Sequence, residues 1–234
     1  MTRRTANQGR FDRMGMATAH TRAGTDRRSE LLAILAHTAI AERSAPVSLR
    51  QFAIKAGVSE PTLRHYFNDR RGVVIAIIGY FADGARDWLK RSAEPGATLE
   101  EAVTGYGGLA LEGSRSNVFA QAHAFAFVES IHDRDVARAY RDEIIEPSLQ
   151  ALEQRLGPSL DPGLDPGLDP GLDPAAEGSE RVRHGALFLY APVLMAVLHQ
   201  RLLAGEETRP LDIGHFFDDL TRLFTRGLTP DIKD

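Results

Sequence analysis

Apolar residues recur along this chain at spacings of three and four, the period of a helix with one buried face. The pattern predicts an all-α protein. A first helix is expected from Asp26 to Arg43, with Leu31, Leu32, Ile34, Leu35 and Ala39 as its apolar stripe and Thr25 or Asp26 as its cap. Two short helices and the start of a long one follow within Ser48–Val74. The long helix should span about 71–92, with Val74, Ile77, Ile78, Phe81 and Trp88 buried and Pro95-Gly96 ending it. Further helices are expected over about 99–111, 117–131, 135–156, 179–204 and 213–228. Gly105, Gly107 and Gly108 weaken the first of these and permit either close packing or a kink. Pro147 should bend the 135–156 helix.

The most informative stretch is Ser48–Val74, SLRQFAIKAGVSEPTLRHYFNDRRGVV. Leu49, Phe52 and Ala53 share one helical face. Gly57, four residues beyond Ala53, supplies the positive φ that a helix end favours. Val58 plugs the gap between two helices. Ser59 is a good N-cap, and Pro61 suits a first turn, where its missing N–H costs nothing. Leu63 and Phe67 face the core, which leaves the tips of Glu60, Thr62, Arg64, His65 and Tyr66 outward. This is the helix-turn-helix arrangement for laying one helix in a DNA major groove. Helix, Gly turn and helix also occur together in ordinary small helical domains. The P-T-L-x-H-Y-F-x-x-R run at fixed spacing is what separates this segment from them.

These residues resemble the DNA-binding domain of the TetR family of transcriptional regulators. That family's pattern runs roughly I-A-x-x-A-G-V-S-x-x-T-L-Y-x-H/Y-F-x-x-K. Phe52-Ala53 stands for I-A, Ala56 to Ser59 for A-G-V-S, Thr62-Leu63 for T-L and Tyr66-Phe67 for H/Y-F. The signature is strong over about 27 residues and extends weakly back to about Asp26. There are two departures. Arg64 stands where the family usually has Tyr, and it either grips a phosphate or pairs with a guanine. Arg70 replaces a Lys and keeps the positive charge.

The resemblance implies a three-helix head at 26–72 and a helical effector-binding and dimerisation body at 73–230. Thr62, Arg64, His65 and Tyr66, with Glu60 and Pro61 on the same helix, would meet double-stranded DNA. Ser48, Arg50 and Arg70 would hold phosphates. It further implies a homodimer on a palindromic operator and a repressor released by a small-molecule effector. In that family the last two helices of each copy form a four-helix bundle. The apolar stripe near the C-terminus fits this and equally fits an intramolecular core. Half-site logic favours the dimer, because one short helix reads few base pairs. Alternatives are an activator or architectural binder of the same fold, and a helical small-molecule binder or enzyme that has lost DNA binding.

Charge sharpens the division. Residues 1–75 hold 13 Lys and Arg against 6 Asp and Glu, a balance of +7, while the remainder holds 15 against 26, a balance of −11. A basic head on an acidic body suits a phosphate-binding end. Residues 1–25 read as a disordered basic tail, either an arm toward DNA or inert, and Met14 and Met16 are alternative starts. The absence of Cys excludes disulfides and fits a reducing compartment, and no apolar run predicts a signal or a membrane span. A cytoplasmic location is expected.

Little in the body predicts catalysis. Glu129-x-x-His132 has half of a di-iron spacing, but no second copy occurs, and a surface pair is the simpler reading. The run LDPGLDPGLDPGLDP from Leu160 to Pro174 forbids a helix and predicts a flexible acidic loop over 158–176. Its spacing is not that of an EF-hand. No metal, cofactor or enzyme activity is expected. Trp88, Tyr106, Phe119, His123, Phe127, Tyr140, Tyr190, Met195 and His199 are candidates to line an effector pocket, with ordinary core packing as the competing role for each.

Overall fold

The computed structural model describes residues 26–41, 47–115, 117–160 and 174–227, and no strand occurs among them. The expected tail at 1–25 with its Thr25 cap, and the central part of the expected repeat loop at 161–173, lie outside the described residues. The chain divides into two compact units, Met1–Tyr80 and Phe81–Asp234.

The first unit holds α1 (26–41), α2 (Leu49–Lys55), α3 (Glu60–Phe67) and most of α4 (Arg70–Gly84). Leu31, Leu35, Phe52, Leu63, Val73, Val74, Ile77 and Ile78 are fully buried, so each helix contributes an apolar stripe. Ile34, expected in the α1 stripe, is exposed, because it falls off the arc defined by Leu31 and Leu35. Arg28 of α1 lies over the Phe67 ring at 5.1 Å, a cation–π contact between α1 and α3. Asp69 caps α4 by accepting from Gly72 N at 2.8 Å. Gly72 is demanded by close approach, since a Cβ there would overlap the Phe67 carbonyl oxygen.

The second unit contains α5 (Arg86–Ser92), α6 (Leu99–Ser114), α7 (Asn117–His132), α8 (Arg134–Tyr140), α9 (Glu146–Leu160), α10 (Pro174–Arg201), α11 (Gly205–Thr208) and α12 (Ile213–Gly227). Its core joins Ala102, Val103 and Tyr106 of α6, Leu152, Leu156 and Leu160 of α9, Leu189, Tyr190 and Val193 of α10, and Phe217 and Phe224 of α12. The α6 glycines serve packing. Gly107 abuts the Phe217 ring and Gly105 the Arg155 guanidinium, and α6 runs unbroken past both.

Several expected bounds change. The 71–92 helix is interrupted, because Ala85 takes a flattened backbone (φ −91°, ψ −2°) next to Gly84 and starts α5 without a side-chain cap. The bend expected near Pro147 is a wide π-helical turn at Arg141–Ile145 between α8 and α9. The helix before the repeat continues to Leu160 through Pro158, so 158–160 are helical and not loop. Burying Leu160 beside Gly185 offsets the hydrogen bond that Pro158 cannot donate. Residues 174–176, also expected as loop, lie within α10. The short α11 was not expected at all. It follows Ala204 in the left-handed region (φ 53°).

Two features hold the second unit's polar groups. Arg155 is buried and donates from Nε to Ser92 O (2.8 Å), from one terminal nitrogen to Ala102 O (3.1 Å) and from the other to Arg91 O (2.6 Å). One α9 side chain thereby closes the end of α5 and meets the first turn of α6. Buried Gln200 accepts from Leu211 N and donates to Arg209 O, which ties the end of α10 to the segment before α12. Ser179–Arg201 within α10 is long and apolar enough, at mean hydropathy 1.3, to cross a bilayer by length and composition alone. Its buried side chains from Val182 to Val193 belong to the core just described. Leu187, Phe188 and Met195 are exposed, as is Leu223 of α12 at 72 %.

Candidate functional site

The reading helix α3 is built by local rules. The α2 end makes paired bonds, Gly57 N to Ile54 O (3.1 Å) and Val58 N to Ala53 O (3.0 Å), around Gly57 at φ 65°. Ser59 then caps α3 by accepting from Thr62 N at 3.3 Å, and the two hydroxyls share a hydrogen bond at 2.9 Å. Pro61 occupies the first turn. Asn68 ends the helix at φ 72° and its N–H bonds Arg64 O. Leu63 and Phe67 anchor the helix inside.

The opposite face holds the chemistry. Pro61, Arg64, His65 and Asn68 are exposed, and Glu60, Thr62 and Tyr66 are half-buried. Arg64 and Glu60 approach to 4.0 Å across one turn, a loose and solvated pair that leaves the guanidinium available. His65 and Tyr66 meet edge to face at 5.0 Å. Ser48 closes a capping box with Gln51, through bonds of 3.2 and 2.8 Å, yet its hydroxyl proton remains a donor. Arg50 is exposed beside it. Arg70, expected as a phosphate contact, is half-buried and its Nε donates to Val47 O at 2.8 Å. Its first task is to brace the start of α4 to the approach of α2. Asn68 and Asp69 escaped the sequence reading, although an Asn-Asp pair closing one helix and opening another is a recognisable signal.

Six of the nine effector-pocket candidates come together in the second unit. Trp88 meets Tyr106 at 6.2 Å and Phe119 at 6.3 Å between ring centroids, and Phe119 meets His123 at 4.4 Å. His123 reaches Tyr140 at 5.8 Å and Tyr190 at 6.5 Å. His123 Nδ1 and Tyr140 Oη share a 2.7 Å hydrogen bond. Burial holds the His123 imidazole down at about 4, so it is neutral at pH 7. Burial also pushes the Tyr140 phenol up to about 12 and raises those of Tyr106 and Tyr190.

The other three lie elsewhere. Phe127 is 61 % exposed and Met195 59 % exposed. Both helices are apolar on more than one face, so residue type alone does not say which side turns inward. His199 hydrogen-bonds Gln200 at 2.8 Å and packs against Gly205. Glu129 is buried while His132, at the end of the same helix, is exposed, and the described residues contain no cluster suited to a metal.

The chain matches no protein-family model and no curated protein. It is similar to solved structures. A protein described as a TetR-family transcriptional regulator from Mesorhizobium loti shares 16 % identity at TM-score 0.58, over 87 % of this chain and 97 % of that one. The fatty acid degradation regulator FadR from Bacillus halodurans shares 15 % at TM-score 0.56, over 86 % and 99 %. FadR from Bacillus subtilis, solved with stearoyl-CoA, shares 15 % at TM-score 0.50, over 86 % and 96 %. At such identities the likeness shows the fold: this chain has the all-α fold of TetR-type and FadR-type regulators.

Proposed function

We propose that this chain is a homodimeric DNA-binding transcriptional regulator, a repressor that leaves a palindromic operator when a small molecule binds in its second unit. The observation that carries the reading is α3. It is capped at both ends, anchored by Leu63 and Phe67, and presents Arg64 and His65 to solvent with Glu60, Thr62 and Tyr66 beside them. Such a helix is pre-organised for a groove, and its guanidinium suits guanine O6 and N7. Ser48 and Arg50 stand ready for phosphates. The +7 balance of residues 1–75 supplies the field that steers a duplex to this end. In this reading residues 26–72 bind DNA and 73–230 bind the effector and a second copy.

The fold likeness supports the same reading, since the neighbours are transcriptional regulators and one of them was solved with an acyl-CoA. Exposed Leu187, Phe188, Met195 and Leu223 supply an apolar surface on the last two long helices for the second copy. The ring cluster around His123 is the place for the effector.

The test is binding to duplexes that the purified chain selects from a random pool. The expected product is a two-fold symmetric site bound by two copies, with affinity falling steeply between 50 and 200 mM salt, by about a hundredfold or more. Affinity indifferent to salt, or no enrichment of any sequence, rejects the reading. Deleting the gene in its host then separates repressor from activator, because loss of a repressor raises transcription of its targets.

A further inference from the structure

We propose that the effector site is centred on Tyr190 and His123 and takes an uncharged, ring-bearing molecule with one group that both donates and accepts a hydrogen bond, such as a phenol, an alcohol or a primary amide. The inference rests on the effector reading above and names the ligand class.

The first observation is an unpartnered polar atom. Tyr190 is 4 % exposed, and its hydroxyl has no hydrogen-bond partner. The Ser148 hydroxyl lies near enough to influence it and gives its own proton to Ile144 O at 2.7 Å, so it offers Tyr190 no donor. A buried hydroxyl left unpaired costs stability, and native chains keep few of them. The second observation lies on the neighbouring ring. His123 is buried and bonds Tyr140 through Nδ1, which leaves Nε2 as a second polar point on a ring whose centroid lies 6.5 Å from that of Tyr190. Tautomerism lets the His123–Tyr140 pair present either a donor or an acceptor at Nε2, so a partner able to do both satisfies either state. The third observation is the wall. Trp88 and Phe119 are half-buried and lie on the outer side of the cluster, while Tyr106, His123 and Tyr190 are inside. Polar points beneath aromatic rings are the usual make-up of a small-molecule site.

Charge decides the class. Arg155, a buried cation of this unit, points all three of its nitrogens at backbone carbonyls. A carboxylate or phosphate brought among these rings would lose its hydration beside neutral phenols and a neutral imidazole, with the Arg155 charge felt at Tyr106 but already engaged with backbone carbonyls. The raised phenol of Tyr190 reports the same hostility to negative charge.

The experiment is calorimetric titration of the full chain with phenol, 2-naphthol and 1-hydroxypyrene, each beside its matched carboxylate and parent hydrocarbon, and with stearoyl-CoA. At least one phenol should bind about tenfold or more tighter than its carboxylate. Tyr190→Phe should weaken that phenol about five- to tenfold, the worth of one hydrogen bond, and leave the hydrocarbon unchanged. The same variant, without ligand, should melt at or above the parent temperature, because it removes an unpaired buried hydroxyl. Carboxylates or stearoyl-CoA binding as tightly as the phenols, no phenol binding, or a Tyr190→Phe chain that melts clearly lower would each overturn the proposal. Binding to the selected duplex is read separately. If it fails while the phenol still binds, the site stands and the regulator reading falls.

Discussion

The two units of this chain hold their polar side chains in opposite ways. In the first, Arg50, Arg64 and His65 stand on a surface, and the nearest charged partner of Arg64 is 4.0 Å away. In the second, Arg155, Gln200, His123 and Tyr140 are buried and hydrogen-bonded to groups of their own unit. A group on the surface can be exchanged with little effect on folding, and it acts through what it touches next. A group inside is part of the scaffold, and its removal is felt by the fold first. The same chemical types therefore predict binding in one unit and stability in the other.

The comparison breaks most visibly at Arg155. Arg155→Ala removes three hydrogen bonds to backbone carbonyls and a buried side chain and should destabilise the chain by about 4 kcal/mol in urea unfolding, with a shallow effect on the shape of the far-ultraviolet spectrum. A loss below about 1 kcal/mol would mean that those carbonyls find water. His123 gives the next effect. Its folded pKa of about 4 lies below the ordinary value of 6.5, so the unfolded chain binds the extra proton between those limits. Stability is then complete above about pH 6.5 and falls as the pH drops toward 4, by about 3 kcal/mol for this group. Unfolding curves of the parent and of His123→Gln should converge in slope only above that window. Equal slopes throughout would show that the imidazole is not held neutral.

Much of the first unit was legible because its rules are local. Gly57, Ser59 and Pro61 each act within four residues, and each sits where its conformational preference requires. The brace from Arg70 to Val47 and the one from Arg155 to Ser92 span 23 and 63 residues, and nothing near either arginine announces its partner. The helix past Pro158 belongs to the same class, since Leu160 is drawn in by α10. The outward positions of Phe127 and Met195 have another cause. Both sit on helices whose apolar residues circle the axis, so composition marks the helix as buried and does not choose a side. Where the pattern has one clear face, as at Leu63 and Phe67, the inward residues follow.

Smaller changes sharpen the contrast on the surface side. Arg64→Ala should weaken binding to the selected duplex by about 2 kcal/mol while leaving the unfolding midpoint within error of the parent. Fluorescence anisotropy and a denaturation curve on the same preparation check both halves. If affinity holds and stability falls, Arg64 belongs with Arg155. Gly57→Ala places a Cβ on a backbone at φ 65° with open space around it, so its cost should be the conformational one alone, about 1 kcal/mol. A much larger loss would mean that the turn transmits strain to α3.

The wide turn at Arg141–Ile145 has a bearing on how this interior tolerates change. It takes up one residue more than an ordinary helical turn, between Tyr140, which holds His123, and the α9 residues that build the core. Each residue of a regular helix advances the side-chain direction by about 100°. Losing one codon here would tighten the turn and swing the phenol away from the imidazole, with every side chain of the interior still present. The spacing of α8 from α9 is thus inherited as a count of residues, and shortening it by one is an error that no compensating side chain at Tyr140 could mend.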